Sequence, residues 1–309
     1  MVKKLWQASA VSCALAACVA LSGCGSQNAA GNKVFFAAHA EATDFTGLLY
    51  EGVKSKLSAQ GIEVEFLNAK GDVNMQIDQL NEVMGQKPAA IVLLPVDGYA
   101  VIPVVEKVNA AQIPLIATNR DLNGGQFAHV MSDESQAGRL QGEYMAKHLP
   151  PNAQIVYFMG ESSQKSAVAR WEGFKEACLD KRPDIKLLAK VDGGWSETEG
   201  LKYMTLWLQI FPQIDAVVSG NDSMALGALK ALQAAGRDKG VLISGVDATP
   251  AALKAVAAGT MSQTVKQDAD KTAEAIAGLL QTSLQGKIPT DEIKIPLVEI
   301  TKDNVAQFK

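Results

Sequence analysis

The chain has 309 residues, 48% hydrophobic and 20% charged, with a formal net charge of −4. That length accommodates two domains, and the composition is that of a globular rather than a disordered protein. No Lys/Arg cluster occurs beyond the N-terminus, which argues against non-specific nucleic-acid binding.

Lys3 and Lys4 precede a mostly apolar, small-residue run from Leu5 to Leu21. The run is short for a membrane span and ends in small residues, as a secretory signal does, so residues 1–23 read as a processing segment. The tetrapeptide Leu21-Ser22-Gly23-Cys24 resembles the bacterial lipoprotein cleavage box. That resemblance implies cleavage before Cys24, a lipid on its thiol, and residues 24–32 as a tether. Cys13 and Cys18 would leave with the signal, so Cys178 would remain on a predicted helix, without a disulfide partner, buried and inert. Loss of Lys3 and Lys4 from 29 basic residues, against 33 acidic ones, would bring the charge to about −6.

Beyond the tether, strands and helices alternate. Lys33–His39 is a strand, Phe45–Gln60 a helix stopped by Gly61, Ile62–Asn68 an alternating strand and Asp72–Met84 a helix. The run Ala89–Leu94, AAIVLL, is apolar throughout, as expected of a strand covered on both faces. Tyr99–Ala111 is a helix and Pro114–Thr118 a strand. Gln126–Met131 is a short extended segment, and Asp133–His148 a helix. Gln154–Met159 is a strand, Gln164–Asp180 a helix, Ile185–Val191 a strand and Glu197–Gln209 a helix. Asp215–Ser219 is a buried strand, Gly220-Asn221-Asp222 a turn, and Ser223–Ala235 a helix with Asp222 placed to cap it. Val241–Val246, Pro250–Ala257, Ser262–Gln267 and Asp268–Gln285 continue as strand, helix, strand and long helix. Lys294–Ile300 alternates as one last strand. Repeated βαβ units predict parallel sheets with right-handed crossovers and helices on both faces, in two α/β halves without a flexible linker.

The motifs of common chemistry are missing. There is no G-x-S-x-G elbow, no H-x-x-x-H metal spacing, no G-x-G-x-x-G and no phosphate loop, so neither dinucleotide nor NTP phosphate is expected as a cofactor. His148 is expected on a helix surface; His39 ends the first strand, where it could approach a ligand, but a satisfied structural role is expected of it. Polar and planar side chains instead gather just after strands. Asn119 and Arg120 follow Pro114–Thr118. Trp195 follows Gly193-Gly194. Asn221 follows Asp215–Ser219, Asp247 follows Val241–Val246, and Gln267 ends Ser262–Gln267. Arg170 lies on the Gln164–Asp180 helix. Ligands of open α/β sheets bind at the carboxyl ends of strands. Arg donates in a fork, Asp accepts, Asn and Gln do both, and an aromatic face covers the C–H face of a ring. The set suits a polyhydroxylated ligand.

At GNDSMALGALKAL (from Gly220), SGVDATP (Ser244), SAVARWEGF (Ser166) and PLIATNRD (Pro114), the chain resembles bacterial substrate-binding proteins for sugars and cyclitols, in the ribose-binding group. The likeness covers about residues 32–308. MGESSQKSAVAR, GGWSETEGLKYMTLWL and TNRD are most similar to myo-inositol-binding proteins. The resemblance implies a type I periplasmic binding protein fold: two doubly wound parallel-sheet α/β domains joined by three crossings, closing on ligand about a hinge. The crossings would fall near Ser132-Asp133, Gln267-Asp268 and Pro296 to Val298, giving one domain from 33–131 plus 268–297 and another from 132–267 plus 298–309. Carried over by motif, Asn119, Arg120, Arg170, Asn221, Asp247 and Gln267 would hydrogen-bond the ligand, between Trp195 and Phe45. Around Phe45 the chain departs from ribose-binding members, with Thr43, Asp44 and Thr46 in place of an Asn and a second aromatic. Thr43 and Asp44 are therefore further candidates. Those members also have Asp where this chain has Asn119, and both departures count against ribose itself.

The resemblance further implies a monomer on the outer face of a bacterial membrane that passes its ligand to an ABC permease driven by a separate ATPase. Myo-inositol is the favoured ligand, with pentoses and hexoses next. Other readings are an exported sensor for a chemoreceptor or sensor kinase, a sugar-acting enzyme, and a sugar-responsive repressor. The last would need a DNA-binding segment where the signal lies.

Overall fold

The computed structural model describes residues 31–41, 44–284 and 288–308. The signal segment, Cys24, most of the tether, Thr43 and the side chain of Asp44 lie outside the described residues. The elements alternate as β1 (Lys33–Ala38), α1 (Asp44–Ser58), β2 (Glu63–Asn68), α2 (Val73–Met84), β3 (Ala90–Leu93), α3 (Ile102–Ala110), β4 (Leu115–Thr118) and β5 (Ala128–Ser132). They continue as α4 (Glu134–His148), β6 (Gln154–Met159), α5 (Lys165–Phe174), β7 (Lys186–Asp192), α6 (Glu197–Ile210), β8 (Ala216–Ser219) and α7 (Asp222–Ala234). The chain closes with β9 (Leu242–Val246), α8 (Pro250–Ala258), β10 (Gln263–Lys266), α9 (Ala269–Leu284), β11 (Glu292–Ile295) and β12 (Val298–Thr301).

Two six-stranded sheets result, in the orders β11-β5-β4-β3-β1-β2 and β12-β10-β9-β8-β6-β7. The first is parallel throughout, and in the second only β12 runs antiparallel to its neighbour. The chain therefore passes between the sheets three times: after β5, after β10, and between β11 and β12. The period of two along a strand splits each core in two. Val34, Phe36 and Ala38 of β1 pack on α1 and α9, while Phe35 and Ala37 face α2 and α3. In the second sheet Val156 and Phe158 pack against α6, α7 and α8, and Ile155, Tyr157 and Met159 against α4 and α5. Each fully buried Phe contributes roughly 1.5–3 kcal/mol.

The structure corrects several sequence expectations. Lys294–Ile300 is not one strand. Pro296, which has no N–H to donate, interrupts it, so β11 pairs with β5 and β12 with β10. The helix expected from Tyr99 begins at Ile102, because Asp97 Oδ1 accepts from the amides of Tyr99 (2.8 Å) and Ala100 (3.0 Å) and holds a turn ahead of it. The Gln164–Asp180 helix is α-helical to Phe174 and continues as one π turn, Lys175–Leu179. Asp222 is not the cap of α7. Asn221 is: its backbone is extended (φ −147, ψ 171) and its Oδ1 accepts from the Met224 amide at 3.0 Å. Asp222 is already helical and fully buried, accepting from the Thr249 amide (2.8 Å) and Thr264 Oγ1 (2.7 Å).

Candidate functional site

The carboxyl ends of the strands converge on a cleft of about 340 Å³. Phe45, Asn119, Arg120, Arg170, Trp195, Asn221, Asp247 and Gln267 all line it. The first three come from the half built on the first sheet, and the other five from the half built on the second. His39, at the end of the first strand, does approach the cleft, and among residues that sequence reasoning did not place here Thr46, Glu161, Gln164 and Ser166 also line it. Gln164 and Ser166 stand inside the MGESSQKSAVAR segment, so a signal for them was present.

The backbone is forced at this edge. Asn119 (φ 59), Trp195 (φ 61) and Asp247 (φ 117) all lie in the left-handed half of conformational space. Asn tolerates that region, but Trp and Asp at φ 117 do not do so freely, and each such residue costs on the order of 1–3 kcal/mol. Surrounding bonds hold them. The Asp247 amide donates to the Val265 carbonyl at 2.8 Å, and Gln267 Nε2 donates to Asp247 Oδ1 at 2.7 Å. Asn221 Nδ2 donates to the Trp195 carbonyl at 3.1 Å, and the indole Nε1 donates to Gln164 Oε1 at 3.2 Å. Gly160 makes room for the ring: a Cβ there would sit 2.0 Å from Trp195 Cζ2.

The two guanidiniums are buried and matched. Arg170 Nε donates to Glu134 Oε2 at 2.5 Å, with the side chains 4% and 5% exposed. Its Nη1 donates to the Gly220 carbonyl, and its guanidinium lies 5.4 Å from the centre of the Trp195 ring. Burial pulls the Arg170 pKa down, but the carboxylates of Glu134 and Asp247 outweigh it and the net shift is upward. Arg120 meets Glu161 from the other half at 3.6 Å and donates to the Pro95 carbonyl at 3.4 Å. Burial lowers its pKa to about 10, with Glu161 opposing, so it stays a cation at neutral pH. Burial, then the charge of Asp247, raises the Asp222 carboxyl well above the carboxylate range. Among the described residues no cluster of His, Cys, Asp and Glu could hold a metal ion. Cys178 is buried, and burial lifts its thiol to about 11.

Two doubly wound sheets whose strand ends meet at a polar cleft define the architecture of a small-molecule receptor. The chain belongs to the periplasmic binding protein family, with residues 34–288 matching the periplasmic binding protein domain. It is 34% identical to the xylitol-binding protein of Mycolicibacterium smegmatis over 304 residues, covering 96% of this chain and 86% of that protein. It is 30% identical to the ribose import binding protein of Salmonella typhimurium, covering 90% and 95%. An ABC transporter solute binding protein from Bacillus halodurans, solved with bound myo-inositol, superposes with a TM-score of 0.82 at 31% identity, covering 90% of this chain and 98% of that one. These relatives are binding proteins, and this chain is likewise a binding protein and not an enzyme.

Proposed function

We infer that the chain is the solute-binding protein of an ABC importer for a neutral sugar or cyclitol, with myo-inositol favoured and pentoses and hexoses next. The observation that carries this is the cleft's hydrogen-bonding set. Asn119, Asn221 and Gln267 can donate and accept, Asp247 accepts, and Arg120 and Arg170 donate, beside the Trp195 and Phe45 rings. Both guanidiniums already face protein carboxylates, which favours an uncharged polyol over an anion. The xylitol-binding relative and the myo-inositol-bound neighbour support the same chemistry.

The working parts would be a domain of 33–131 plus 268–297 and one of 132–267 plus 298–309, closing over the ligand that touches both. Ligand shifts such an equilibrium through its greater affinity for the closed form. A monomer tethered outside the membrane by a lipid on Cys24 would then present the closed form to a permease powered by a separate ATPase. Calorimetry of the purified protein with myo-inositol, xylitol, ribose, xylose, galactose and glucose tests the ligand class. Binding of at least one is expected, with a stabilisation of roughly 2.7 kcal/mol at a hundredfold excess over Kd. Silence across the panel sinks the reading. Trp195→Ala and Asp247→Ala should each weaken binding far more than they lower stability, and unchanged affinity in both would overturn the site assignment.

A further inference from the structure

Behind the cleft wall, three successive backbone amides of the turn from β9 into α8 are each held by a different partner. The Asp247 amide donates to the Val265 carbonyl at 2.8 Å, the Ala248 amide to Thr264 Oγ1 at 3.2 Å, and the Thr249 amide to Asp222 Oδ2 at 2.8 Å. The Thr264 hydroxyl in turn donates to Asp222 Oδ1 at 2.7 Å. Asp222 therefore fixes the third amide directly and the second through Thr264. Asp222 and Thr264 are fully buried, and neither lines the cleft. Room for the carboxyl group comes from Gly245 on β9, where a Cβ would sit 2.3 Å from Asp222 Oδ1.

The turn needs such a clamp. Asp247 (φ 117) and Ala248 (φ 53) are consecutive non-glycine residues at positive φ, a conformation that persists only where the surroundings over-determine it. Thr249 follows as the N-cap of α8, its Oγ1 accepting from the Ala252 amide at 3.3 Å. Asp222 is also the residue after Asn221, so one side chain ties together the ends of the neighbouring strands β8 and β9, each of which brings a residue to the cleft. Resting on the functional reading above, we propose that Asp222 is a positioning residue for polyol binding: with Thr264 it holds the strained turn that presents Asp247 to the cleft, and it makes no ligand contact itself. A ligand hydroxyl bonds a carboxylate only within a narrow range of distance and angle, so a turn that relaxes loses that bond.

Variants of unchanged shape test this. Thr264→Val removes the hydroxyl that links Asp222 to the Ala248 amide, and Asp222→Asn keeps one acceptor oxygen of the two. Calorimetry with myo-inositol, xylitol and ribose should show roughly tenfold weaker binding in Thr264→Val, the worth of one hydrogen bond, and a smaller loss in Asp222→Asn. Wild-type affinity in both overturns the positioning role. In an Asp247→Ala background neither substitution should weaken binding further; losses of the same size there show that Asp222 does not act through Asp247 and overturn it too. A ligand-free readout stands beside these. Hydrogen exchange of the Ala248 and Thr249 amides should quicken about tenfold in Thr264→Val while amides in the middle of α7 and α8 stay protected. Unchanged exchange at those two amides, or an equal loss of protection across the whole second half, overturns the clamp. If Thr264→Val does not fold, Asp222→Asn carries both comparisons. If no probe binds the wild type, the functional reading falls, and the exchange comparison still decides the clamp. If a probe binds equally well while exchange quickens, only the positioning role falls.

Discussion

Replacing Glu134 by Gln removes one charge from the most deeply buried ion pair in the cleft wall. Glu134 is the first residue of α4, immediately after the chain leaves the first sheet, and Arg170 lies on α5. The two helices cross at backbone contact. A Cβ on Gly138 would sit 1.9 Å from the Arg170 carbonyl oxygen, and one on Gly173 would sit 2.1 Å from that of Ser135. This close crossing brings the carboxylate to the guanidinium at 2.5 Å. Breaking a buried pair by removing one partner costs about 3–5 kcal/mol, because the remaining charge is left unpaired. The amide keeps one acceptor for Arg170 Nε, worth about 1–2 kcal/mol, so the expected loss is about 1–4 kcal/mol.

Urea denaturation followed by circular dichroism measures that loss, and calorimetry with myo-inositol measures its effect on the site. If Glu134 acts on ligand through Arg170, the affinity lost in Glu134→Gln should largely disappear when the same change is made in Arg170→Gln. Glu134→Asp, one methylene shorter, should restore part of the stability. A stability within about 0.5 kcal/mol of wild type, the range of an ordinary surface change, would show that Arg170 does not depend on this carboxylate. Equal affinity losses in both backgrounds would refute the coupling to the site.

Three further outcomes can be checked. His39 titrates near 6.5 when unfolded and at about 3 when folded, so between those values the unfolded chain binds the extra proton. Its contribution to stability is complete above pH 6.5 and falls by up to about 1.4 kcal/mol per unit as pH drops towards 3; comparing Tm against pH for wild type and His39→Gln should show a flatter acid limb in the variant. Gly160→Ala drives a methyl into the Trp195 indole, so polyol binding and tryptophan fluorescence should change; an unaltered affinity would mean the ring's position is immaterial. Asn221→Ala removes the α7 cap and should cost about 1 kcal/mol; Asn221→Asp keeps the cap acceptor but sets a carboxylate oxygen against the Trp195 carbonyl in place of a donor, so urea denaturation and calorimetry should show both stability and affinity falling.

The strands that place the site were legible because burial on two faces writes itself into sequence, as in AAIVLL over β3. Asn119, Arg120, Trp195, Asn221, Asp247 and Gln267 were legible as polar or aromatic side chains just past strands, Arg170 within the SAVARWEGF motif, and Phe45 only through the family resemblance. Their supports were not. Glu134 lies 36 residues from Arg170, and a Glu in a helix's first turn reads the same whether it faces solvent or a buried guanidinium. Asn221 and Asp222 illustrate a second limit. Both residue types cap helices, so local chemistry could not choose between them. The sheet chose: the Gly220 amide donates to the Phe158 carbonyl at 2.8 Å, prolonging extended pairing past β8. Asn221 thereby stays extended as the cap, and Asp222 turns into the helix against the loop after β9.

The same reasoning explains why the cleft's backbone strain was invisible. Left-handed conformation is signalled in sequence by Gly, and at Asn119, Trp195 and Asp247 the chain supplies a cleft-lining side chain instead. Each of these residues follows a strand whose direction the sheet dictates, and each lines the cleft. For Trp195 the indole fits only because residue 160 is glycine and residue 220 is glycine, where a Cβ would already press within 3.3 Å of the ring. The permissive residues therefore sit beneath the ring rather than at the strained position. The rest of the lobe carries the cost of the strained backbone, and the cleft presents an aromatic face and a carboxylate already in place.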